Sequence, residues 1–201
     1  QAWTLSAVQD FDPEDSNGFF ANTYRGYNCL MTVVCSLLII LDKPLASFLY
    51  AKDFYQAWQY VPWLTIAVLF GSMAGYIGGI FVAVRNSKIF ASSTLVGAIL
   101  NVILNFITVP LLGPLGAAIS TTISYAIVWV IRLTQSRKYI KMRIHLVRDV
   151  GSYIVLTLQA TVILLITDKW QTIFFLTGTF FVVLLMYVPD AKIVIERVRQ
   201  R

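Results

Sequence analysis

The chain has 201 residues, 58% of them hydrophobic and only 13% charged, with a mean hydropathy of +0.72. A soluble domain of this length cannot keep that much apolar surface dry, so the composition specifies an all-α, polytopic membrane protein. The net charge of +6 comes from cations in short loops, which speaks for membrane topology and against nucleic-acid binding.

Gln1 to Val8 reads as the end of an earlier apolar helix (Ala2, Trp3, Leu5, Ala7, Val8) rather than as a signal peptide, so the chain is expected to be the C-terminal part of a longer protein. The acidic stretch Asp10 to Asp15, with Pro13 and Gly18, then reads as a solvated linker, so that residues 1–23 precede the first span. Six charge-poor intervals follow, at about 24–50, 54–84, 88–109, 115–136, 150–167 and 170–189. Each suits a hydrocarbon core about 30 Å thick, which takes roughly 20 helical residues. Pro62 falls in the first turn of the second interval, where a missing N–H costs little. The basic residues 190–201 form a tail.

In the first interval Cys29 and Cys35 lie six residues apart, about 240° around a helix, so they neither pair nor share a metal. With His145 far away in a basic loop, no metal site can be assembled. In the second interval Gly71, Gly75 and Gly79 recur at i, i+4 and i+8, with Gly78 beside them, a pattern for close helix packing or for a hinge.

From Ile89 to Ile131 there is no Asp, Glu, Lys, Arg or His, and Pro110, Gly113 and Gly116 mark a tight turn between the third and fourth spans. The third span carries Ser93, Gly97, Asn101 and Asn105 at successive i+4 positions, a polar face that must look into protein or water. The fourth carries Ser120, Thr121, Thr122, Ser124 and Tyr125, with Arg132 further along the Ser120 and Ser124 face. Beyond it, Ile140 to Leu146 alternates apolar and basic residues with period two, as a strand or extended segment at the headgroup interface would.

If the N-terminal segment is cytoplasmic, that side receives every Lys and Arg except Lys43, Lys52 and Lys169, which places both termini in the cytoplasm. Aromatic residues Tyr50, Phe54, Tyr55, Trp58, Tyr60 and Trp63 gather at the first outer loop, and Trp170 and Tyr187 bound the last span, as an interfacial belt requires. The ionisable residues nearest the membrane, Asp42, Lys43, Arg85 and Arg132, read as interfacial or snorkelling groups. No catalytic constellation is present: the spans hold no paired carboxylates, no Ser/His/Asp set and no phosphate loop, so no enzyme and no cofactor are expected.

Val61-Pro62-Trp63-Leu64, the Asn101-x3-Asn105 pair, the run Val109 to Thr121 and Ile131-Arg132 together resemble bacterial polysaccharide-biosynthesis flippases, O-antigen-type members of the multidrug/oligosaccharidyl-lipid/polysaccharide (MOP) superfamily. The resemblance covers about residues 20–148. It implies two six-helix lobes with two further spans, of which this chain is similar to the last four spans of the second lobe plus the terminal pair. It also implies alternating-access translocation of undecaprenyl-pyrophosphate-linked oligosaccharide in a bacterial inner or plasma membrane, jointly with the N-terminal half. Implied partners are membrane lipid, the lipid-linked oligosaccharide, and polysaccharide polymerase or chain-length proteins. On that reading Asn101, Asn105, Ser120, Thr121 and Tyr125 line or flank the substrate groove, with Arg85 and Arg132 near its cytoplasmic mouth. The alternatives are a drug/cation antiporter of the same superfamily and a non-transporting scaffold of a polysaccharide-synthesis complex.

Overall fold

The computed structural model describes the backbone over residues 2–49 and 52–199 and the side-chain surroundings over 3–49 and 54–189. Tyr50 and the side chains of the basic tail therefore lie outside the described residues. Among the described residues seven α-helices follow in chain order: α1 (Ala2–Gln9), α2 (Phe19–Leu49), α3 (Val61–Ala83), α4 (Ser87–Leu112), α5 (Pro114–Ser136), α6 (Leu146–Leu165) and α7 (Lys169–Arg199). No strand occurs among the described residues. The six helices α2 to α7 are long and apolar enough to cross a membrane, as the charge-poor intervals predict.

The boundaries differ from expectation at two places. The stretch expected to begin the second span is a 3₁₀ helix, Lys52–Gln59, because Lys-Asp-Phe-Tyr-Gln-Ala-Trp-Gln is too polar for hydrocarbon. The span proper starts at Val61, with Pro62 at its second position, where no N–H is needed. Pro110, expected in the turn, lies inside α4, which runs on to Leu112. The reversal into α5 is the single residue Gly113, at φ 59° and ψ −142°, and Pro114 then opens α5. Lastly, α7 continues past Pro189 to Arg199, so the basic tail begins as a continuation of the helix of the last span.

The chain divides into two units, Gln1–Tyr24 with Ala67–Ile144, and Arg25–Ile66 with His145–Arg201. In the first, α4 and α5 pack along their length. Helix α1 is held by Trp3, whose indole N–H donates to the Tyr76 carbonyl at 2.9 Å and whose ring stacks on Tyr76 at 4.1 Å. The indole occupies the space a side chain at Gly79 would fill. Gly71 similarly faces the Tyr125 ring, and Gly78 faces Phe90. Gly75 is exposed with nothing within 4 Å, so the packing surface expected of all three i+4 glycines excludes it.

The acidic linker is built rather than loose. Asp15 accepts the N–H groups of Phe20 and Ala21 at 3.0 and 2.9 Å, satisfying donors at the start of α2 that have no partner within the helix. Asp12 accepts those of Ser16 and Glu14 at 2.7 and 3.0 Å, and these bonds, Ser16 foremost, hold its carboxyl below the usual carboxylate range. The segment after α5 is neither helix nor strand up to His145, and Lys141 N–H donates to the Pro13 carbonyl at 2.9 Å. Its period-two pattern is visible in burial: Ile140 is buried while Lys141, Arg143 and His145 are exposed.

In the second unit a buried polar network joins α2, α6 and α7. The Tyr187 hydroxyl accepts from Asn28 at 3.0 Å and bonds Ser152 at 2.9 Å, while the Tyr153 hydroxyl donates to the Asn28 amide oxygen at 2.6 Å. Ser36 donates to Gln159 at 2.9 Å, and Gln159 donates to Thr179 at 2.9 Å. Tyr187 was expected in an interfacial belt, but it is 1% exposed, with the Arg148 guanidinium 4.6 Å from its ring centre. Asp42, expected at the interface, is likewise buried. Tyr187→Phe should cost about 1–3 kcal/mol, because the Asn28 amide and Ser152 hydroxyl lose a partner with no water to replace it. Thermal unfolding in detergent measures this, and an unchanged midpoint would mean that the network does not hold the helices.

Candidate functional site

The polar face of α4 looks at α5. Ser93 and Gly97 are the residues of α4 buried by that contact, and Gly97 leaves room for Val128 of α5 to approach. Further along, Asn105 donates to the Asn101 amide oxygen at 3.0 Å, and Asn101 donates across the interface to Thr121 at 3.3 Å. Close to the turn, Thr108 bonds the Gly116 carbonyl at 3.0 Å and the Ser120 hydroxyl at 2.7 Å. Such bonds are the expected fate of amides and hydroxyls in a bilayer, where unpaired polar groups are expensive.

Beside this seam is a cavity of about 270 Å³. Helix α3 contributes Gly71 and Ala74, α4 contributes Thr94, Gly97, Ala98 and Asn101, and α5 contributes the rest. From α5 come Thr121, Ser124, Tyr125, Val128 and Arg132. Ser124 is 5% exposed, and its hydroxyl oxygen has no hydrogen-bond partner among the described residues.

Arg132 does not snorkel. It is 5% exposed, and its guanidinium reaches α3 and α4 at once. Nε donates to Ser93 at 2.9 Å, Nη1 to the Ala74 carbonyl at 2.9 Å, and Nη2 to Thr94 and the Phe90 carbonyl at 2.8 and 3.3 Å. The Phe90 ring lies 4.1 Å from the guanidinium carbon, a cation–π contact. All these acceptors are neutral. The side chain is solvated by the fold, and its charge is uncompensated by any carboxylate among the described cavity residues.

Of the groove candidates, Asn101, Thr121, Tyr125 and Arg132 come together around this cavity. Asn105 is one turn away, bonded to Asn101, and Ser120 is fully buried inside the hairpin. Arg85 is exposed in the connection from α3 to α4, with a left-handed φ of 55°. Thr94 and Ala98 escaped the sequence reading, although Thr94, Ala98 and Asn101 fall at i, i+4 and i+7 on a face adjoining the one recognised.

Residues 4–186 match the model of the family described as "Lipid II flippase MurJ". The chain belongs to the MurJ family. No curated protein and no solved structure matches it. The matched residues include α2 to α6 and the whole cavity. MurJ is a family of flippases within the MOP superfamily, transporters of a lipid-linked precursor rather than catalysts, which agrees with the superfamily resemblance at its coarser level. Together with six long apolar helices, membership makes the chain a multi-pass membrane protein.

Proposed function

We propose that this chain forms part of a flippase that carries a polyprenyl-pyrophosphate-linked sugar precursor across a bacterial cell membrane by alternating access. The family description favours lipid II as the cargo over the O-antigen-type repeat unit that the resemblance implied. The observation that carries the reading is the polar-lined cavity between α3, α4 and α5: amide, hydroxyl and guanidinium groups stand beside helices whose outer faces are hydrocarbon-like. A polar head can cross along such a lining while its isoprenoid tail stays in lipid. The excess of cations in the loops at one membrane face supports cytoplasmic termini.

The test is reconstitution of the gene product in vesicles with fluorescent lipid II in one leaflet and a membrane-impermeant quencher outside. Protein-dependent transfer of the headgroup is expected, and no transfer above the protein-free rate would reject the reading. Asn101→Leu should slow transfer about tenfold, the effect of losing one hydrogen bond worth ~1.4 kcal/mol at the barrier. Accumulation of a cationic drug with no lipid transfer would instead favour the antiporter.

A further inference from the structure

We propose that the acidic linker after α1 is a releasable clasp on the connection that leaves α5, closed at Lys141 and opened in each transport cycle. The opening step rests on the flippase reading; the clasp itself rests on contacts at the end of the first unit remote from the Gly113 reversal. Here the linker keeps its own shape. Asp12 accepts the N–H groups of Glu14 and Ser16, Asp15 accepts those of Phe20 and Ala21, and Asp15 and Gly18 take left-handed turns at φ 48° and 61°. The Phe11 ring stands edge-on to Phe20 at 6.0 Å, and the Tyr76 hydroxyl of α3 donates to the Phe20 carbonyl at 2.9 Å. None of these contacts involves the segment after α5.

That segment is held differently on its two sides. Toward α3 and α4 it is packed: the Tyr139 hydroxyl accepts from the Asn86 amide at 2.9 Å, its ring meets Phe81 edge-on at 6.2 Å, and Ile140 is buried. Toward the linker it is tied through Lys141, whose N–H donates to the Pro13 carbonyl at 2.9 Å and whose ammonium pairs with Glu14 at 2.9 Å. The two charged side chains are 71% and 63% exposed. An ion pair so open to water shifts an equilibrium by no more than about fivefold and weakens with salt. Pro13 and Lys141 are themselves exposed, so water can take over their backbone bond. Separation therefore falls at Lys141, while Tyr139 and Ile140 stay in place. Residues 141–145 are neither helix nor strand and lead into α6. Once released they can span up to roughly 17 Å. That is slack for the helix movement alternating access demands, with α3, α4 and α5 still packed around the cavity.

Two measurements on the gene product test the clasp and its opening separately, both in a background where Cys29 and Cys35 are replaced. Spin labels on Asn17→Cys and Lys138→Cys, exposed positions on either side of the clasp, report the distance across it by pulsed electron resonance. Two distances are expected, the longer gaining population between about 0.1 and about 1 M salt, where the screening length falls from ~10 to ~3 Å. Adding Lys141→Glu, which sets like charges against each other, should make the longer distance predominate. A single distance that neither salt nor Lys141→Glu moves overturns the clasp. For the opening step, Glu14→Cys and Lys141→Cys are joined by a short reducible bis-thiosulfonate linker and the protein is reconstituted with fluorescent lipid II. Joined protein should transfer lipid at least about tenfold more slowly than the same sample after reduction. Recovery on reduction separates this effect from a folding defect of the double variant, and equal transfer before and after reduction overturns the opening step. If the wild type transfers no lipid while both distances are found, the flippase reading falls and the clasp stands. Transfer by the wild type with one unmoved distance does the reverse.

Discussion

Gly116→Val should unfold the α4–α5 hairpin, whereas Gly113→Ala should cost only local backbone strain. A Cβ at Gly116 would meet the Thr108 carbonyl group and come within 2.9 Å of the Val109 backbone nitrogen. Those are main-chain atoms of α4, which cannot rotate aside as a side chain does. The same spot is where Thr108 bonds the Gly116 carbonyl and the Ser120 hydroxyl, so moving the helices apart breaks two hydrogen bonds as well. Overpacking a core usually costs 1–3 kcal/mol. Against rigid backbone in two helices joined by one residue, about 3 kcal/mol or more is expected. At Gly113 a Cβ meets nothing within 4 Å, but φ 59° with ψ −142° is a conformation nearly reserved for glycine, at a cost of about 1–3 kcal/mol for another residue. Circular dichroism on heating in detergent compares the two. Equal midpoints for both variants would show that α4 and α5 do not approach closely at Gly116.

The contrast between these glycines also shows what periodicity can and cannot reveal. Spacing and charge were enough to place the helices: six charge-poor intervals correspond to six long helices, and Gly113 marks the reversal. The i+4 series Ser93, Gly97, Asn101 and Asn105 correctly shared a face, because 3.6 residues per turn is a local property. What faces that stripe is not local. Arg132 lies one turn from the end of α5, where a long cation ordinarily reaches back to headgroups, and only the positions of Ala74, Phe90 and Thr94 on two other helices show that it turns inward. Asn28, Thr32 and Ser36 repeat the same i+4 signal in α2 and were legible by the rule applied to α4. Their partners on α6 and α7 were not, since chain separations above a hundred residues leave no periodic trace.

Arg132→Leu sets two large terms against each other, and they separate in different measurements. A guanidinium near the middle of a membrane helix costs about 2.5–3.5 kcal/mol on insertion scales, less toward the helix end, so the leucine variant of α5 should insert more readily. In the assembled bundle the balance reverses. Hydrogen bonds from a charged donor contribute about 1.5–3 kcal/mol each, and Arg132 makes four, spanning Ala74 of α3 and Ser93, Phe90 and Thr94 of α4. Even with much of that sum spent on desolvating the cation, a net loss of about 3 kcal/mol in bundle stability is expected. Arg132→Lys should recover less than half of it, because a single ammonium cannot reach both helices as a planar fork does. Pairing Arg132→Leu with Thr94→Val isolates one of these bonds: the 2.8 Å contact predicts a coupling of about 1–2 kcal/mol in a double-mutant cycle. Additive costs would mean that Thr94 is a bystander. Anchorage would then lie with Ser93 and the carbonyls of Ala74 and Phe90, and the cavity wall formed by Thr94 would be free to move without disturbing Arg132.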